Sequence, residues 1–205
     1  MPALNSYRRN ALIALISAVL MVMVTGGCVS TPKGDRSVVQ LSQQQLYELD
    51  TWTAEGKLGL RINGKGNSAS FSWQNEGQGY LLRLHGPFGQ GKVSLQKENG
   101  WVTLNSKEHN DTARSPEQLM EAALGWTLPI SELVYWIKGL PSLESPVGRL
   151  SENTLGKPET LEQQGWHIRY SDYAVENGVM LPHKIIAKRQ NVRLVLVIKR
   201  WQLAL

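Results

Sequence analysis

The sequence predicts a mostly β (α+β) protein: an antiparallel meander curled into a barrel or strongly curved sheet, with two short helices over one mouth. Three observations predict it. From Trp52 onward, apolar residues recur at every second position in segments spaced about eight to twelve residues apart. The pairs Asn63-Gly64, Asn99-Gly100 and Asn177-Gly178 supply tight hairpin turns. Glycine is abundant at 19 and tryptophan at 7, while phenylalanine numbers only 2, which leans towards turn-rich β structure.

The chain opens on a targeting segment. Met1 to Asn10 carries Arg8 and Arg9 and no acid, and Ala11 to Val24 then runs without a charge. That run is short for a membrane span and suits the core of a signal peptide. Thr25-Gly26-Gly27 and the only cysteine, Cys28, follow. Val24-Thr25-Gly26-Gly27-Cys28 resembles a bacterial lipobox, with Thr25 where the motif usually has Leu. The resemblance implies cleavage before Cys28 and its modification by acyl chains such as palmitate. An ordinary signal with a leftover thiol and an inner-membrane anchor are the alternatives. Val29 follows the cysteine, where lipoproteins kept in the inner membrane often carry Asp, so outer-membrane sorting is expected. Residues 1–27 are thus expected to be a signal peptide. Residues 28–42 form a polar lipidated tether with Pro32 and Gly34, and residues 43–205 a single domain.

Leu41 to Asp50 is a short helix by its spacing of Leu41, Leu46 and Leu49, with Ser42 as its N-cap. A strand follows, with Trp52, Ala54, Leu58, Leu60 and Ile62 on one face and Thr53, Glu55, Lys57 and Arg61 on the other. Ala69, Phe71 and Trp73 alternate with serines, Asn75 to Gly79 turns, and Tyr80, Leu82 and Leu84 continue the pattern. Val93 and Leu95 mark a further strand, and Trp101 to Asn105 another. Ser115-Pro116-Glu117-Gln118 is a capping box with proline at the first helical position, and Gly125 ends that helix. A second helix starts near Pro129, with Ile130, Leu133, Val134 and Ile137 at helical spacing, and stops at Gly139 and Pro141. Strands resume at Trp166, Ile168 and Tyr170, then at Lys184 to Lys188 and Val192 to Trp201. The last is apolar on both faces, which predicts cover on both.

With 205 residues, 41% hydrophobic and 19% charged, the chain can bury a core without staples. One cysteine allows no internal disulfide and no cysteine-based zinc or iron–sulfur site. Without residues 1–27 the chain holds 20 basic and 17 acidic groups, a net +3. The excess is concentrated. Leu181 to Leu205 carries Lys184, Lys188, Arg189, Arg193, Lys199 and Arg200 and no acid. This basic end suits anionic lipid or an acidic partner, or else is a solvated strand face.

No enzyme signature is present. His85, His109, His167 and His183 make no helical metal pair, and neither a nucleophile elbow nor a dinucleotide fingerprint occurs. Glu117 and Glu121 are expected on a solvated helix face rather than as an acid–base pair. Gly86-Pro87-Phe88-Gly89-Gln90-Gly91 lies between two strands. Pro87 fixes one dihedral and glycines flank the aromatic, so Phe88 is expected at or near a hairpin tip. It either tucks onto the rim or meets something apolar outside.

The lipobox is followed by Trp52…Gly56-Lys57-Leu58-Gly59-Leu60, Ser68-Ala69-Ser70-Phe71-Ser72-Trp73 and Gly86-Pro87-Phe88-Gly89. Leu128-Pro129, Leu133-Val134-Tyr135-Trp136-Ile137-Lys138-Gly139-Leu140-Pro141 and Gly165-Trp166-His167-Ile168-Arg169-Tyr170 come next. In this order, from Cys28 to about Trp201, the chain resembles the outer-membrane lipoprotein receptor LolB family. The resemblance implies an unclosed antiparallel β-barrel with a helical lid covering an apolar cavity. It implies a lipid-anchored receptor, facing the periplasm from the outer membrane. This receptor accepts lipoproteins from a soluble, LolA-like periplasmic carrier and inserts them into the inner leaflet without catalysis. The partners expected are the carrier, lipoprotein acyl chains and outer-membrane lipid. No nucleic acid is expected, nor a metal, nor a cofactor beyond the lipid on Cys28. A monomer is expected. Leu60, Phe71, Trp73, Leu82 and Leu84 are the candidates to line the cavity, with Leu133, Trp136 and Ile137 to cover it. The family's tip usually carries Leu, and Phe88, after Pro87, is the candidate here for membrane contact. The alternative is a lipid-anchored envelope scaffold or binding protein that uses the same curved sheet for another ligand.

Overall fold

A computed structural model describes residues 41–86 and 91–204. Eleven antiparallel strands make one sheet: β1 (Trp52–Ile62), β2 (Lys65–Glu76), β3 (Gly79–His85), β4 (Val93–Glu98), β5 (Trp101–Asn105), β6 (Asn110–Ala113), β7 (Val147–Glu152), β8 (Pro158–Gln163), β9 (Trp166–Glu176), β10 (Val179–Arg189) and β11 (Val192–Leu203). The helices are α1 (Gln43–Glu48), α2 (Pro116–Leu124) and α3 (Ile130–Trp136). The strand order is β6-β5-β4-β3-β2-β1-β11-β10-β9-β8-β7. Two meanders thus meet where β1 pairs with β11, and the sheet does not close between β6 and β7.

The expected architecture is the observed one. Asn63 and Gly64 sit at φ 51° and 79°, as the β1–β2 turn requires. The alternation of β1 buries Trp52, Ala54 and Leu60 and leaves Lys57 and Arg61 exposed. Between Glu55 and Gly56 the pairing with β11 slips by one residue, so Gly56 faces Ile198 while Glu55 faces Arg200. The bulge reverses the parity of β11 and lets both Ile198 and Trp201 point inward.

One end of the inner face is plugged by aromatics. Trp201, Trp52, Trp73 and Tyr80 come from β11, β1, β2 and β3, with ring centroids 5.6, 5.7 and 6.0 Å apart. Ala54, fully buried, lies opposite both Trp201 and Trp73, and its small side chain leaves them room.

The connection from β6 to β7 joins the two edges of the sheet and crosses the inner face, and α2 and α3 lie on that crossing. Leu119 and Met120 of α2 and Ile130, Leu133 and Trp136 of α3 are among its buried residues. Ser42 and Gln45 cap α1 reciprocally, and Gly125 ends α2 at φ 69°.

Several expectations change. Strands β6, β7 and β8 were not expected. β6 is Asn-Asp-Thr-Ala, and β7 is an edge strand exposed along most of its length, so neither needs an apolar alternation. β8 starts at a proline and buries only Leu161 and Gln163. The outer face of β11 is not covered: Val197 is 38% exposed. At α2 the capping is one-sided. Ser115 Oγ accepts from Gln118 N but donates to Glu117 Oε2. Glu117 is half-buried rather than solvated, because its carboxylate also accepts from Ser131 N at 2.9 Å and Ser131 Oγ at 3.2 Å. It caps α3, whose own Pro129 offers no side-chain cap.

Gly56 is fixed by the bulge. A Cβ there would stand 2.0 Å from Val197 O, a backbone atom that cannot swing away. Gly56→Ala is expected to destabilise the domain by about 3 kcal/mol or more, read as a lowered urea midpoint.

Candidate functional site

Between the sheet and α2–α3 lies an apolar cavity of about 140 Å³. Its floor comes from neighbouring strands at matched register: Leu58 of β1, Phe71 and Trp73 of β2, Leu82 and Leu84 of β3, Val93 and Leu95 of β4, and Leu104 of β5. Met120, Leu128, Ile130 and Leu133 form the roof, with Trp126 at its margin. Every lining side chain is aliphatic, aromatic or a thioether, so the space suits hydrocarbon and offers no carboxylate, ammonium or hydroxyl to a polar ligand.

The lining is graded. Phe71, Trp73, Leu82 and Leu133 are buried, whereas Leu58, Leu84, Val93 and Trp126 are half-buried. Leu84 and Val93 are paired where β3 ends and β4 begins. The cavity is therefore sealed at the aromatic end and opens towards that opposite end of the sheet.

Of the expected lining residues, Phe71, Trp73, Leu82, Leu84 and Leu133 stand on the cavity wall. Leu60, Trp136 and Ile137 are buried but lie elsewhere in the core. Trp136 packs on Trp166 at 6.2 Å between centroids and donates from Nε1 to Gln163 Oε1 at 2.8 Å. Leu58, Val93, Leu95, Leu104, Met120, Trp126, Leu128, Ile130 and Leu196 also line the cavity, and those on strands share a face with Phe71 and Leu82 by the two-residue period. Cys28, Pro87 and Phe88 lie outside the described residues.

Two buried polar side chains anchor one end of the lid. Gln163 on β8 is 2% exposed. Its Oε1 accepts from Trp136 Nε1 and Ser142 N, and its Nε2 donates to Ser142 O at 2.8 Å and Ser145 O at 2.7 Å. All four of its hydrogen-bonding positions are used. Lys138, just past α3, is 4% exposed and donates from Nζ to Leu46 O at 2.9 Å and Leu49 O at 2.8 Å. It thereby satisfies carbonyls at the C-terminal end of α1. Burial lowers the Lys138 ammonium to about 8, against a smaller upward pull from Asp50. Gly139 follows at φ 78°, where a Cβ would meet the Tyr173 hydroxyl at 3.1 Å. The linker between α2 and α3, residues 125–130, has no such clamp to the sheet among the described side-chain hydrogen bonds.

Sequence reasoning did not single out Gln163 or Lys138. Long polar side chains ordinarily stay in water. Gln163 becomes interior where the crossing segment closes over it, and Lys138, on that segment, where it meets α1.

Residues 50–201 match the family described as Outer membrane lipoprotein LolB. A relative of that name from Cellvibrio japonicus is 38% identical over 208 residues, spanning 97% of this chain and 99% of its own. One from Chromohalobacter salexigens is 36% identical over 190 residues, 90% of this chain and 88% of its own. One from Pseudomonas aeruginosa is 39% identical over 171 residues, 83% of each. In fold alone, the chain resembles a crystal structure of a LolA superfamily protein from Nitrosomonas europaea. The TM-score is 0.52 at 9% identity, over 80% of this chain and 94% of that one.

The Lys138 site sets a pH dependence. Between about 8 and 10.5 the unfolded chain holds a proton that the folded chain has lost. Stability from this group therefore rises with pH through that window and is flat below it. The neutral amine keeps two N–H donors, enough for both carbonyls. Compared with Lys138→Met, the native chain should gain on the order of 3 kcal/mol between pH 8 and 10.5, measured by paired urea titrations.

Proposed function

The chain belongs to the outer-membrane lipoprotein LolB family, and from that premise and the cavity under its lid we propose how it receives lipoproteins from a soluble periplasmic carrier and places them in the inner leaflet of the outer membrane. The role is binding and transfer, not catalysis, and the protein works as a lipid-anchored outer-membrane receptor. The observation that carries the mechanism is the wholly apolar lining of the cavity.

Hydrocarbon drives the design. An acyl chain of about fifteen methylenes would cost on the order of 12 kcal/mol if bared to water. The cargo passes from one apolar enclosure to the next without that exposure. The cavity of about 140 Å³ is smaller than the roughly 300–1,000 Å³ of ordinary ligand pockets, so admitting a chain requires the lid to move. The clamps at Lys138 and Gln163 hold the α3 C-terminal end, and the unclamped 125–130 linker with α2 swings. Phe71, Trp73, Leu82, Leu84 and Leu133 then contact the acyl chain, and the chain displaces no buried polar group as it enters.

Residues 1–27 are removed as a signal peptide, Cys28 carries the lipid anchor, and residues 28–42 tether the domain of residues 43–205. Phe88, with Pro87 before it, touches the membrane at release. Its transfer into lipid contributes roughly 1.5 to 3 kcal/mol, enough to favour the site of release but not to anchor the protein.

The experiment uses a lipid-free chain beginning at residue 28 with Cys28→Ala. Ser37–Leu205 forms a compact unit of its own, so this chain retains every described element. Mixed with a carrier loaded with a lipoprotein, it should take the cargo, as read by pull-down. Phe88→Glu should accept equally and deliver to vesicles several-fold more slowly. Cargo that stays on a carrier competent with another receptor favours the scaffold alternative. Equal delivery by Phe88→Glu removes the tip from the mechanism.

A further inference from the structure

The cross-strand register arranges the outer face of β9, β10, β11 and β1 into rows. His167, Lys188, Arg193 and Arg61 form the first; Arg169, Ile186, Val195 and Gly59 the second; Ser171, Lys184, Val197 and Lys57 the third. Their strand neighbours Leu60, Ile168, Ile185, Ala187, Leu194 and Leu196 are buried on the inner face, so these rows face outward. Arg61, Arg169, Lys188 and Arg193 are exposed. None of the six lysines and arginines in the rows is in a salt bridge among the described residues.

The charge is segregated along the strands. The acids of these same strands lie towards the other end: Glu55 bound to Arg200, Glu176 beside His183 at 2.9 Å, and Asp172. Three acids border the rows: Glu162 of β8, 3.4 Å from His167, Asp172, directly after Ser171 of the third row, and Glu55, two residues before Lys57 and bound to Arg200. The basic rows lie towards the end where β1 finishes and β11 begins, the direction in which β3 also runs; the Leu84–Val93 pair at the open end of the cavity stands on the row of Phe71 and Gly56, next to the third basic row. Among the cations, Val197 is 38% exposed, and Val195 and Ile186 are half-buried.

We propose that this basic outer face docks on an anionic phospholipid surface and turns the open end of the cavity towards it. Three adjacent rows of flexible cations around an aliphatic centre match a layer of phosphates over hydrocarbon. The face offers no carboxylate or amide in the central rows to read a particular protein surface. The orientation rests on the delivery role proposed above, but its test reads lipid binding alone, so either can fail without the other.

The lipid-free Cys28→Ala chain is sedimented with vesicles of phosphatidylcholine alone or with 30 mol% phosphatidylglycerol added. Arg61→Gln, Lys188→Gln and Arg193→Gln are combined in one variant. Lys107→Gln, Arg149→Gln and Lys157→Gln, off the patch, make a second with the same net charge. Circular dichroism melts establish that both remain folded. The parent and the off-patch variant should partition onto anionic vesicles and not onto neutral ones, and binding should fall with salt. The patch variant should lose on the order of 100-fold in partition, since each surface cation contributes about fivefold. Equal partition by the two variants overturns the proposal. So does a patch variant that binds vesicles normally but no longer takes cargo, which would assign the face to the carrier.

Discussion

A chain that must pass from one edge of an open sheet to the other governs this structure. β6 and β7 are the two edges, and the residues between them run over the inner face, where Met120, Leu128, Ile130 and Leu133 roof the cavity. They bring α2 and α3 onto the apolar side chains of both meanders. The same crossing explains why the sheet stays open, because the lid occupies the space that a closed barrel would fill with side chains. An apolar face that would otherwise aggregate becomes a roofed cavity.

The roof is held unevenly. At one end, Gln163 satisfies the indole of Trp136 and three backbone groups, and Lys138 joins α3 to α1. The Lys138 contact lies near the aromatic end of the sheet, where Trp52, Trp73 and Trp201 leave their indole N–H groups without a described partner. Packing of these rings offsets that cost, at about 0.5–1.5 kcal/mol per aromatic pair beyond area burial. Between α2 and α3, half-buried aliphatics and Trp126 meet a linker with no side-chain hydrogen bond to the sheet among the described residues. Firm attachment after α3 and weak attachment of the α2–α3 linker let the lid move without a special hinge sequence. A receptor that takes its cargo's hydrocarbon needs both, since the fold has to survive while the cavity widens.

Much of this was legible in the residues. The alternation from Trp52 to Ile62, three Asn-Gly turns and the Ser115-Pro116 helix start each reflect a strong local preference, and each is where expected. Period-two and helical spacing put Phe71, Trp73, Leu82, Leu84 and Leu133 on inward faces, as they did Leu60, which lies off the cavity; that a cavity lies there was implied by the family resemblance. β6, β7 and β8 were not legible, being short edge-side strands whose pairing comes from neighbours rather than from their own pattern. Trp136 and Ile137 share the lid but turn from the cavity, because rotation about a helix axis is decided by its packing. Gln163 and Lys138 were hidden for the opposite reason: polar chemistry argues for water until the crossing segment removes it. The parity change at the β11 bulge belongs to the same class, since it is set by Gly56 on another strand.

The most direct measurement is a crystal structure of the lipid-free domain bound to a diacylated peptide with 16-carbon chains. The account predicts hydrocarbon between Phe71, Trp73 and Leu82 below and Met120 and Leu133 above. It predicts α2 and residues 125–130 displaced outward, with the Lys138 and Gln163 hydrogen bonds intact. Acyl chains lying outside this cavity, or inside it with the 125–130 linker unmoved and the Lys138 clamp broken, would contradict it.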